Sequence, residues 1–280
     1  MISIIIVNYN VKAYLEQCIK SILSSISNLD FEIIIVDNNS RESVDGLKSD
    51  KISVYSMDNN LGFSSAVNFG LSKAKKDVVF LLNPDIIVGD QAIEKLYNYI
   101  LMDSSIGVVG CKVLNPDGTY QLSSKRSFPY FFNSLSYVLE LYKIFPNVKF
   151  FNHYNYLYAD HNKILDVDAI SGSCMVFRRE ILNVVGYFDE KFFLYFEDTD
   201  FCLRVIDSGY KVVYYPEASI LHYKGESLKL ANTQLRSEFY LSLKYFFYKY
   251  KNKFNYWPLI KILLPIGILV RRFIVSVKKY

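Results

Sequence analysis

Three short runs of apolar, mostly β-branched residues near the start of the chain predict buried strands. They cover residues 2–7, 31–36 and 78–82, and polar residues bound each of them. Runs of this length between polar turns are typical of strands that are covered on both faces of a sheet. A shorter run at residues 52–56 predicts one more strand.

Helical spacing fills the gaps between these strands. Apolar residues recur with helical periodicity at residues 13–25, and residues 64–75 and 91–101 are expected to be helices that follow later strands. Strands and helices that alternate at this length predict βαβ units and a parallel sheet. Residues 1–110 are therefore expected to form half of a nucleotide-binding α/β domain.

The second part of the chain is less regular. Residues 128–158 are aromatic, polar and weakly periodic, which predicts a mobile or substrate-covering segment. Regular secondary structure is expected to resume at residues 167–177. The pattern then predicts helices at 179–185 and 201–208 and a strand at 212–215.

Composition narrows the class of protein. Hydrophobic residues make up 51% of the chain and charged residues 21%, which excludes global disorder. The four cysteines form no Cys-x-x-Cys pair, so reduced thiols in the cytosol are expected rather than a zinc cage or a disulfide framework. The chain starts in a predicted strand, so no signal peptide is expected.

Charge divides the chain at about residue 228. Residues 1–228 contain no internal repeat or low-complexity linker, and they are expected to form one domain with halves at 1–110 and 111–228. The net charge of the whole chain is +4, but residues 229–280 contain eleven Lys or Arg and only one acid, Glu238. The tail is therefore basic, and the domain before it is acidic.

The basic tail is also aromatic and aliphatic, which argues against nucleic acid as its partner. Its longest uncharged stretch, residues 262–270, is too short to span the roughly 30 Å of a bilayer's hydrocarbon. Basic residues beside Trp and Tyr favour an amphipathic helical tail that lies on an anionic membrane surface. The alternative is a helix that packs on the domain and keeps a solvated basic face.

Polar residues follow the first two predicted strands. Asn8 and Asn10 come after the first strand, and Asp37 and Asn39 come after the second. Ligands bind outside the carboxyl ends of the strands in an open parallel sheet, where Asn and Asp offer hydrogen bonds to a base and a ribose. No Gly-x-Gly-x-x-Gly motif follows the first strand, which argues against an ordinary dinucleotide site. Simple turn formation is the alternative.

The loop before the helix at 64–75 is a candidate site for an anion. Asn60 and Gly62 lie in this loop, and Asn68 lies one turn inside the helix. Gly62 permits close backbone approach, and a helix N-terminus favours an anion such as a diphosphate. A plain helix-start loop is the alternative.

Asp85 and His222 are the candidate metal ligands. Asp85 follows a central strand in Asn83-Pro84-Asp85, and a hard divalent cation that bridges phosphates needs only one or two carboxylates. His222 follows a strand and is a credible ligand in a domain expected to bind a metal. The alternatives are an Asp85 that stabilises the proline turn and a structural histidine.

The densest group of acids is Glu197, Asp198 and Asp200, followed by Arg204. Burying carboxylates beside aromatic residues costs free energy unless one of them has a catalytic role or all of them are paired with cationic groups. Asp198 is expected just before a helix, where it could act as a general base, with helix capping as the alternative. Asp200 and Arg204 are spaced for an exposed salt bridge on one helix.

These motifs resemble, in content and order, those of the family 2 glycosyltransferases, most closely the bacterial rhamnosyltransferase-like branch. The resemblance covers about residues 2–228. It rests on six segments, residues 4–10, 36–40, 60–63, 82–85, 196–200 and 222–227. It implies an α/β GT-A fold, with a Rossmann-like, mostly parallel central sheet flanked by helices. It also implies a nucleotide-diphospho-sugar donor (a dTDP- or UDP-sugar), Mg²⁺ or Mn²⁺, and inversion at the anomeric carbon.

The resemblance also implies roles at the donor end of a site. The base- and ribose-binding acid of the family falls on Asp37, and the metal-side histidine of related members falls on His222. The metal motif falls on residues 83–85, and Asp85 would be the main carboxylate ligand because the first acid is replaced by Asn83. The residues expected to bind the nucleotide-sugar are Asn8, Asn10, Asp37, Asn39, Asn60, Gly62, Asn68 and Asn83.

At the acceptor end, the acidic pair of the family falls on Glu197 and Asp198, with the catalytic base in second place. The implied activity moves a sugar such as rhamnose to a saccharide or lipid-linked acceptor in cell-surface polysaccharide or lipopolysaccharide synthesis. Such an enzyme is expected in the cytoplasm, peripheral on the inner face of the membrane. The alternatives are a nucleotidyltransferase, which would carry a Gly- and Lys/Arg-rich loop after the first strand, and a non-catalytic sugar- or membrane-binding scaffold.

Overall fold

The computed structural model describes residues 1–138, 141–145, 148–223, 234–254 and 258–259. In the first half of the chain, strands and helices alternate as the apolar pattern predicts. The strands are β1 (Ile2–Asn8), β2 (Phe31–Asp37), β3 (Ile52–Ser56), β4 (Val78–Leu82) and β5 (Ile86–Val88). The helices are α1 (Lys12–Ser25), α2 (Phe63–Lys73) and α3 (Ala92–Met102), with a 3-10 turn at Asp45–Leu47.

The second half of the chain alternates less regularly. Its strands are β6 (Ile106–Leu114), β7 (Lys125–Arg126), β8 (Leu165–Asp166), β9 (Ala169–Ile170), β10 (Cys174–Arg178) and β11 (Lys211–His222). Its helices are α4 (Phe131–Val138), α5 (Leu141–Ile144), α6 (Ile181–Val185), α7 (Glu197–Asp207), α8 (Gln234–Lys249) and α9 (Lys251–Phe254).

Within the described chain, nine strands form the central sheet in the order β3-β2-β1-β4-β10-β6-β11-β5, with β8 paired to β11. The four strands from β3 to β4 are parallel to one another, and β6 is parallel to β11. Strand β10 runs antiparallel between β4 and β6. The expected mostly parallel α/β sheet is confirmed. The carboxyl ends of β1, β2, β4 and β11 consequently lie along one edge, which positions the candidate site.

Helices cover both faces of this sheet. Strand β1 shows the division, because Ile4 and Ile6 pack towards α1 and α3 whereas Ile5 and Val7 pack towards α2. Alternate residues of a strand point to opposite faces, so a strand covered on both sides is apolar throughout.

The structure adds strand β6, which the sequence pattern does not single out. Glycines interrupt its apolar run because other residues need the space. A side chain at Gly110 would lie 2.1 Å from Ile170, and one at Gly107 would lie 2.4 Å from Val205. Helix α7 begins at Glu197 rather than at residue 201, so Asp198 lies in the first turn instead of before the helix.

The C-terminal helices α8 and α9 pack on the domain through aromatic residues. The cluster includes Phe246 and Phe254 from these helices and Phe192, Phe196 and Leu203 from the domain. The described part of the predicted tail therefore follows the alternative of a packed helix. The domain boundary at 228 and the apolar, basic stretch from residue 260 onward lie outside the described residues. Among the described helices, none has the length and apolar character needed to cross a bilayer.

Candidate active site

A polar network joins the carboxyl ends of β1 and β2. Nδ2 of Asn8 donates to Oδ1 of Asp37 at 2.6 Å and to Oγ of Ser40 at 3.0 Å. Oδ2 of Asp37 accepts from the backbone N–H of Ser40 at 3.0 Å. The network fixes the orientation of the buried Asp37 carboxylate at the edge where the sequence predicts a base and ribose site.

Asn10 and Asn39 lie in the loops beside this network. Both have a left-handed backbone, with φ of 59° and 66°, a conformation that Asn tolerates better than most residues. Oδ1 of Asn10 accepts from the backbone N–H of Arg41 at 2.8 Å, and the side chain of Asn39 is exposed. Their contact with a nucleotide stays a prediction.

Asn38, which the sequence analysis does not select, organises the loop before α2. Its Nδ2 donates to Oδ1 of Asn60 at 2.9 Å and to the carbonyl of Gly62 at 3.1 Å, and its Oδ1 accepts from the N–H of Leu61 at 3.1 Å. The N–H of Gly62 donates to Oδ1 of Asn60 at 3.0 Å. Asn60 and Gly62 are thereby tied to the end of β2.

The N-terminus of α2 is already occupied by protein groups. The N–H of Phe63 donates to the carbonyl of Phe193 at 2.7 Å, and Oγ of Ser64 donates to the carbonyl of Phe192 at 2.6 Å. Gly62 has a φ of 89°, and a Cβ there would lie 2.6 Å from that Phe193 oxygen. The close approach that Gly62 permits is to Phe193, so the expectation of a diphosphate at this helix end is not met by the geometry.

Asn68 is engaged in the same junction. Its Nδ2 donates to the carbonyl of Phe188 and to Oε1 of Glu190, both at 2.9 Å, and its Oδ1 accepts from the N–H of Phe188 at 3.0 Å. These bonds hold the loop at 188–190 against α2. A donor contact by Asn68 stays a prediction that would require some of these bonds to open.

The predicted metal ligands Asp85 and His222 lie side by side. Nε2 of His222 is 3.2 Å from Oδ1 of Asp85, and both side chains are buried. Nε2 is also 3.3 Å from Nδ2 of Asn83. The structure thus brings together the three residues that the sequence analysis assigns to the donor phosphates and their cation.

Gln121 fixes the orientation of this histidine. Nδ1 of His222 is 2.9 Å from Oε1 of Gln121, and Nε2 of Gln121 donates to Oδ1 of Asn115 at 3.1 Å. The contact with Gln121 at Nδ1 leaves Nε2 of His222 facing Asp85 and Asn83. A carboxylate oxygen and an imidazole nitrogen 3.2 Å apart are the atom types that ligate divalent cations.

These residues fit a divalent cation that a bound diphosphate helps to hold. Asp85 offers a carboxylate oxygen and His222 an imidazole nitrogen, and a phosphate-bridging cation needs few protein ligands. In the part of the chain that the structure describes, no group of three His, Cys, Asp or Glu residues could hold a metal by itself. The remaining ligands would therefore come from phosphate and water.

The acidic pair Glu197 and Asp198 lies on a strained turn. Tyr195 and Phe196, just before it, both have a left-handed backbone, with φ of 71° and 68°. Consecutive non-glycine residues in this region are costly and cluster at functional sites. The turn directs the first residues of α7 inward, and both acids are buried.

Asp198 is held by hydrogen bonds from three elements. Its Oδ2 accepts from Nη2 of Arg126 at 2.6 Å and from the N–H of Gly172 at 3.1 Å. Its Oδ1 accepts from the N–H and the hydroxyl of Thr199 at 2.6 and 3.1 Å. Phe196 is the N-cap residue of α7, but Asp198 accepts the first-turn N–H of Thr199, so its role as a base stays a prediction beside a contribution to capping.

Glu197 has a different environment from its neighbour. Its Oε2 is buried and has no hydrogen-bond partner among the described residues. Burial, followed by the negative charge of Asp198, raises the pKa of Glu197 above its ordinary value. The pair therefore combines one carboxylate fixed by donors with one that favours its protonated form.

Two short segments connect the metal-side and acid-side groups. The N–H of Asn83 donates to the carbonyl of Ser173 at 3.1 Å, and the preceding residue, Gly172, bonds Asp198. Residues 121–126 make the second link, because Gln121 bonds His222 and Arg126 bonds Asp198. These two segments therefore connect both sets of groups through hydrogen bonds.

Asp200 does not form the exposed pair that the sequence predicts. Its side chain is fully buried, with Arg204 Nε at 2.9 Å, Lys249 Nζ at 2.5 Å and the hydroxyl of Tyr250 at 2.7 Å. Two of these partners, the last residue of α8 and the residue between α8 and α9, come from the C-terminal part of the chain, which spacing along α7 cannot reveal. Asp200 anchors those helices.

Arg126, Gln121 and Gly172 are the functional candidates that the sequence analysis missed. Arg126 and Gln121 lie in an irregular stretch between β6 and α4, without a helical or strand period that would assign them to a face. The sequence feature that could have identified Arg126 was the pair of basic residues Lys125-Arg126 in a region with few other charges.

Comparisons with known proteins agree with this geometry. The family model for glycosyl transferase family 2 matches residues 3–186, and that for glycosyl transferase family group 2 matches residues 118–271. The low-salt glycan biosynthesis hexosyltransferase Agl10 of Haloferax volcanii is 29% identical over 208 residues, which cover 72% of this chain and 61% of that protein. The chain thus spans about three fifths of the length of that relative.

This chain aligns with a larger share of a second relative. The N-acetylglucosaminyl-diphospho-decaprenol L-rhamnosyltransferase of Mycobacterium tuberculosis is 26% identical over 244 residues, covering 81% of this chain and 77% of that enzyme. The rhamnosyltransferase-like resemblance of the motifs is confirmed at this level.

Solved structures show the same fold. A mannosyltransferase from Pyrobaculum calidifontis, in complex with GDP-Man and Mn²⁺, has a TM-score of 0.57 at 16% identity and covers 80% of this chain and 57% of its own. TarS 1–349 of Staphylococcus aureus, in complex with UDP-GlcNAc, has a TM-score of 0.58 at 16% identity, with coverages of 90% and 66%. The expected GT-A fold is confirmed.

Proposed function

The chain belongs to glycosyl transferase family 2, and from that premise we propose that it is an inverting, metal-dependent hexosyltransferase. It moves a sugar, rhamnose being the first candidate, from a dTDP- or UDP-sugar to a saccharide or lipid-linked acceptor. The observation that carries the proposal is the link through Gly172 and Ser173. This loop bonds Asp198 on one side and the backbone of Asn83, beside Asp85, on the other.

The donor end of the site holds a nucleoside diphosphate. Asp37, oriented by Asn8 and Ser40, accepts hydrogen bonds from the base or ribose. Asp85 and His222 would hold a divalent cation together with the diphosphate. When bound, the cation stabilises the negative charge that develops on the leaving group.

Asp198 acts at the acceptor end as general base. It takes the proton of the acceptor hydroxyl while the oxygen forms a bond to C1 of the sugar and the bond from C1 to the diphosphate breaks. Arg126 and Gly172 direct Oδ2, whereas the hydroxyl of Thr199 makes a 3.1 Å bond to Oδ1 that an acceptor hydroxyl can replace. A displacement from the opposite face of the sugar gives inversion.

Glu197 is the second candidate for the base. Its Oε2 has no partner among the described residues, but its raised pKa favours the protonated form, which cannot accept the proton of the acceptor. Asp198 is preferred because hydrogen bonds from Arg126, Gly172 and Thr199 fix the orientation of its carboxylate.

The proposal includes a location and a pathway. The enzyme works in the cytoplasm at the inner face of the membrane, in the synthesis of cell-surface polysaccharide or lipopolysaccharide. Residues 255–280, with Lys261, Arg271 and Arg272, bind an anionic membrane surface. The relative from Mycobacterium tuberculosis, whose name contains a decaprenol-linked acceptor, supports a lipid-linked acceptor here.

A panel of nucleotide-sugars, each with and without Mn²⁺, tests the proposal by thermal stabilisation followed by product analysis. We expect one dTDP- or UDP-sugar to stabilise the protein in the presence of Mn²⁺ and to be consumed with release of the nucleoside diphosphate. Release of pyrophosphate from a nucleoside triphosphate would favour the nucleotidyltransferase instead. Binding without turnover on any acceptor would favour the scaffold.

A further inference from the structure

The segment between β7 and β8 has an unusual distribution of polar and apolar side chains. Phe132 and Phe150 are each 55% exposed and Ile144 is 65% exposed, whereas Asn152 is only 2% exposed. Surface helices normally bury apolar side chains and expose polar ones. The described part of residues 131–152, called here the hairpin, instead exposes these three apolar side chains and buries Asn152.

The inward polar groups of the hairpin are specifically bonded. Nδ2 of Asn152 donates to the carbonyls of Phe145 and Val148 at 2.8 and 2.9 Å. Oγ of Ser136 donates to the carbonyl of Phe151 at 2.8 Å. These bonds satisfy the buried polar groups, so the outward direction of the apolar side chains is a stable feature of the hairpin.

The exposed apolar side chains form one surface. The ring centroids of Phe132 and Phe150 are 6.1 Å apart, those of Phe150 and Phe151 are 5.3 Å apart, and those of Phe151 and Phe145 are 4.9 Å apart. We define the hairpin patch as Phe132, Ile144, Phe145, Val148 and Phe150. Contiguous exposed apolar patches mark sites of contact with membranes or proteins.

The charges around the patch favour an anionic membrane as its partner. Residues 128–158 contain two lysines, Lys143 and Lys149, and a single acid, Glu140, which lies outside the described residues. Both lysines are exposed, and Nζ of Lys149 lies 4.7 Å from the ring of Tyr158. Lysines and aromatic rings at the border of an apolar surface suit the headgroup region of an anionic bilayer.

Helix α9 lies beside the residue that precedes the hairpin. The ring of Phe254, at the end of α9, is 5.5 Å from the ring of Tyr130, just before the hairpin. Lys251 and Lys253 in this helix are exposed. Helix α9 therefore brings two exposed lysines to the side of the domain where the hairpin begins.

We propose that the hairpin patch inserts into the surface of an anionic bilayer, with Lys143 and Lys149 on the lipid headgroups. This contact is separate from that of residues 255–280. The hairpin is also bonded to the site, because Nδ2 of Asn133 donates to Oγ of Ser127 at 3.2 Å and Ser127 follows Arg126. A lipid-linked acceptor held at the bilayer would thus meet Asp198; only this last consequence rests on the proposed function.

Vesicle sedimentation of the full chain tests the contact without any nucleotide-sugar. The test variant is Phe132→Ser/Phe150→Ser, and the matched control is Leu101→Ser/Met102→Ser, which removes exposed apolar side chains at the end of α3. On phosphatidylglycerol vesicles we expect the test variant to bind at least about tenfold more weakly, since two inserted rings are lost, and the control to bind as wild type. Equal binding by the test variant would overturn the proposal.

A tryptophan reporter keeps the test valid if the double variant does not fold. The chain has a single tryptophan, Trp257, so Phe150→Trp in a Trp257→Phe background gives one fluorescent site. Brominated lipids should quench this reporter and leave that of Met102→Trp in the same background unquenched. An unquenched reporter at position 150 would overturn the proposal.

Two further outcomes would contradict insertion of the hairpin patch into an anionic bilayer. If Phe132→Ser/Phe150→Ser converts a dimer to a monomer in sedimentation velocity and leaves vesicle binding intact, the patch is an interface between two copies. If Lys143→Glu/Lys149→Glu binds anionic vesicles as well as wild type, the charge argument is wrong. None of these measurements depends on sugar-transfer activity. They can therefore confirm or refute the membrane contact even if the proposed function is wrong.

Discussion

Nη2 of Arg126 lies 2.6 Å from Oδ2 of Asp198 and connects the short strand β7 to the first turn of α7. The same oxygen accepts the N–H of Gly172 at 3.1 Å. Two donors on one oxygen fix the plane of the carboxylate. The direction in which Asp198 meets an acceptor therefore depends on an arginine far from it in sequence.

Arg126→Lys tests this positioning. Lysine keeps the charge but loses the planar fork of the guanidinium, so the carboxylate should rotate or shift. Because a displacement of about 1 Å can cost ~10²-fold, we expect a fall in kcat towards that size with donor affinity unchanged. We expect Arg126→Ala to have a lower kcat than Arg126→Lys. Steady-state kinetics, donor titration and the melting temperature of each variant check this, and wild-type kcat in Arg126→Ala would refute it.

Asp85→Ala should weaken donor binding only when the cation is present. The carboxylate is assigned to hold Mg²⁺ or Mn²⁺ together with the diphosphate, so its loss should remove the extra affinity that the metal provides. Calorimetric titration of the donor with Mn²⁺ and with a chelator measures the difference. The exposed Asp90→Ala serves as the control. A variant whose donor affinity equals that of wild type under saturating Mn²⁺ would remove Asp85 from the metal site.

Asp200→Asn should destabilise the fold rather than act on catalysis. The fully buried carboxylate has Arg204 and Lys249 as charged partners, and removing one member of a buried ion pair costs about 3–5 kcal/mol. Asp207→Asn is the control, because Asp207 pairs with Lys253 at the surface, where such pairs contribute about 0–1 kcal/mol. Denaturant unfolding compares the two. Equal stability of both variants would contradict the anchoring role of Asp200.

Lys125 should make stability depend on pH. It is buried against Tyr120 and His161, and burial, with the charge of Lys112, lowers its pKa to about 8. An unfolded lysine holds its proton up to about pH 10.4. Between these values the unfolded state binds more protons, so the contribution of Lys125 to the free energy of unfolding rises with pH.

Lys125→Met removes this contribution. We expect the stability of wild type relative to Lys125→Met to rise from about pH 7.5 to 9.5, whereas the exposed Lys163→Met should leave the slope unchanged. Urea unfolding at the two pH values gives the slopes. Parallel slopes for wild type and Lys125→Met would show that the amine titrates normally in the folded chain.

The sequence predicts the strands that are apolar throughout and the residues at their ends. Val78–Leu82 is a strand at the predicted residues, and the structure brings Asp85 and His222 within 3.2 Å of each other. These predictions succeed because a strand buried on both faces has a continuous apolar run and because parallel strands end at one edge.

The other features of the site depend on contacts between residues far apart in sequence, which no local pattern encodes. Gly62 and Asn68 lie in the predicted loop and helix, yet Gly62 packs closely against Phe193 and Asn68 bonds Phe188 and Glu190, rather than facing open space for a ligand. Asp200 has the spacing of a surface pair, but α8 and α9 cover it. Arg126 lies in an irregular stretch, and only the folded chain places it beside Asp198.

The rate of sugar transfer by Asp198→Asn, measured together with donor affinity, tests the account most directly. Asparagine can still accept the hydrogen bonds of Arg126 and Gly172 but loses the charge that pairs with Arg126, so the free energy of unfolding is measured beside kcat to separate loss of the base from loss of stability. A general base contributes ~10²–10⁴-fold, and we expect kcat to fall by that factor with donor affinity near wild type. Glu197→Gln should retain more activity. Near-normal transfer by Asp198→Asn, with loss of transfer in Glu197→Gln, would contradict the account and assign the base to Glu197.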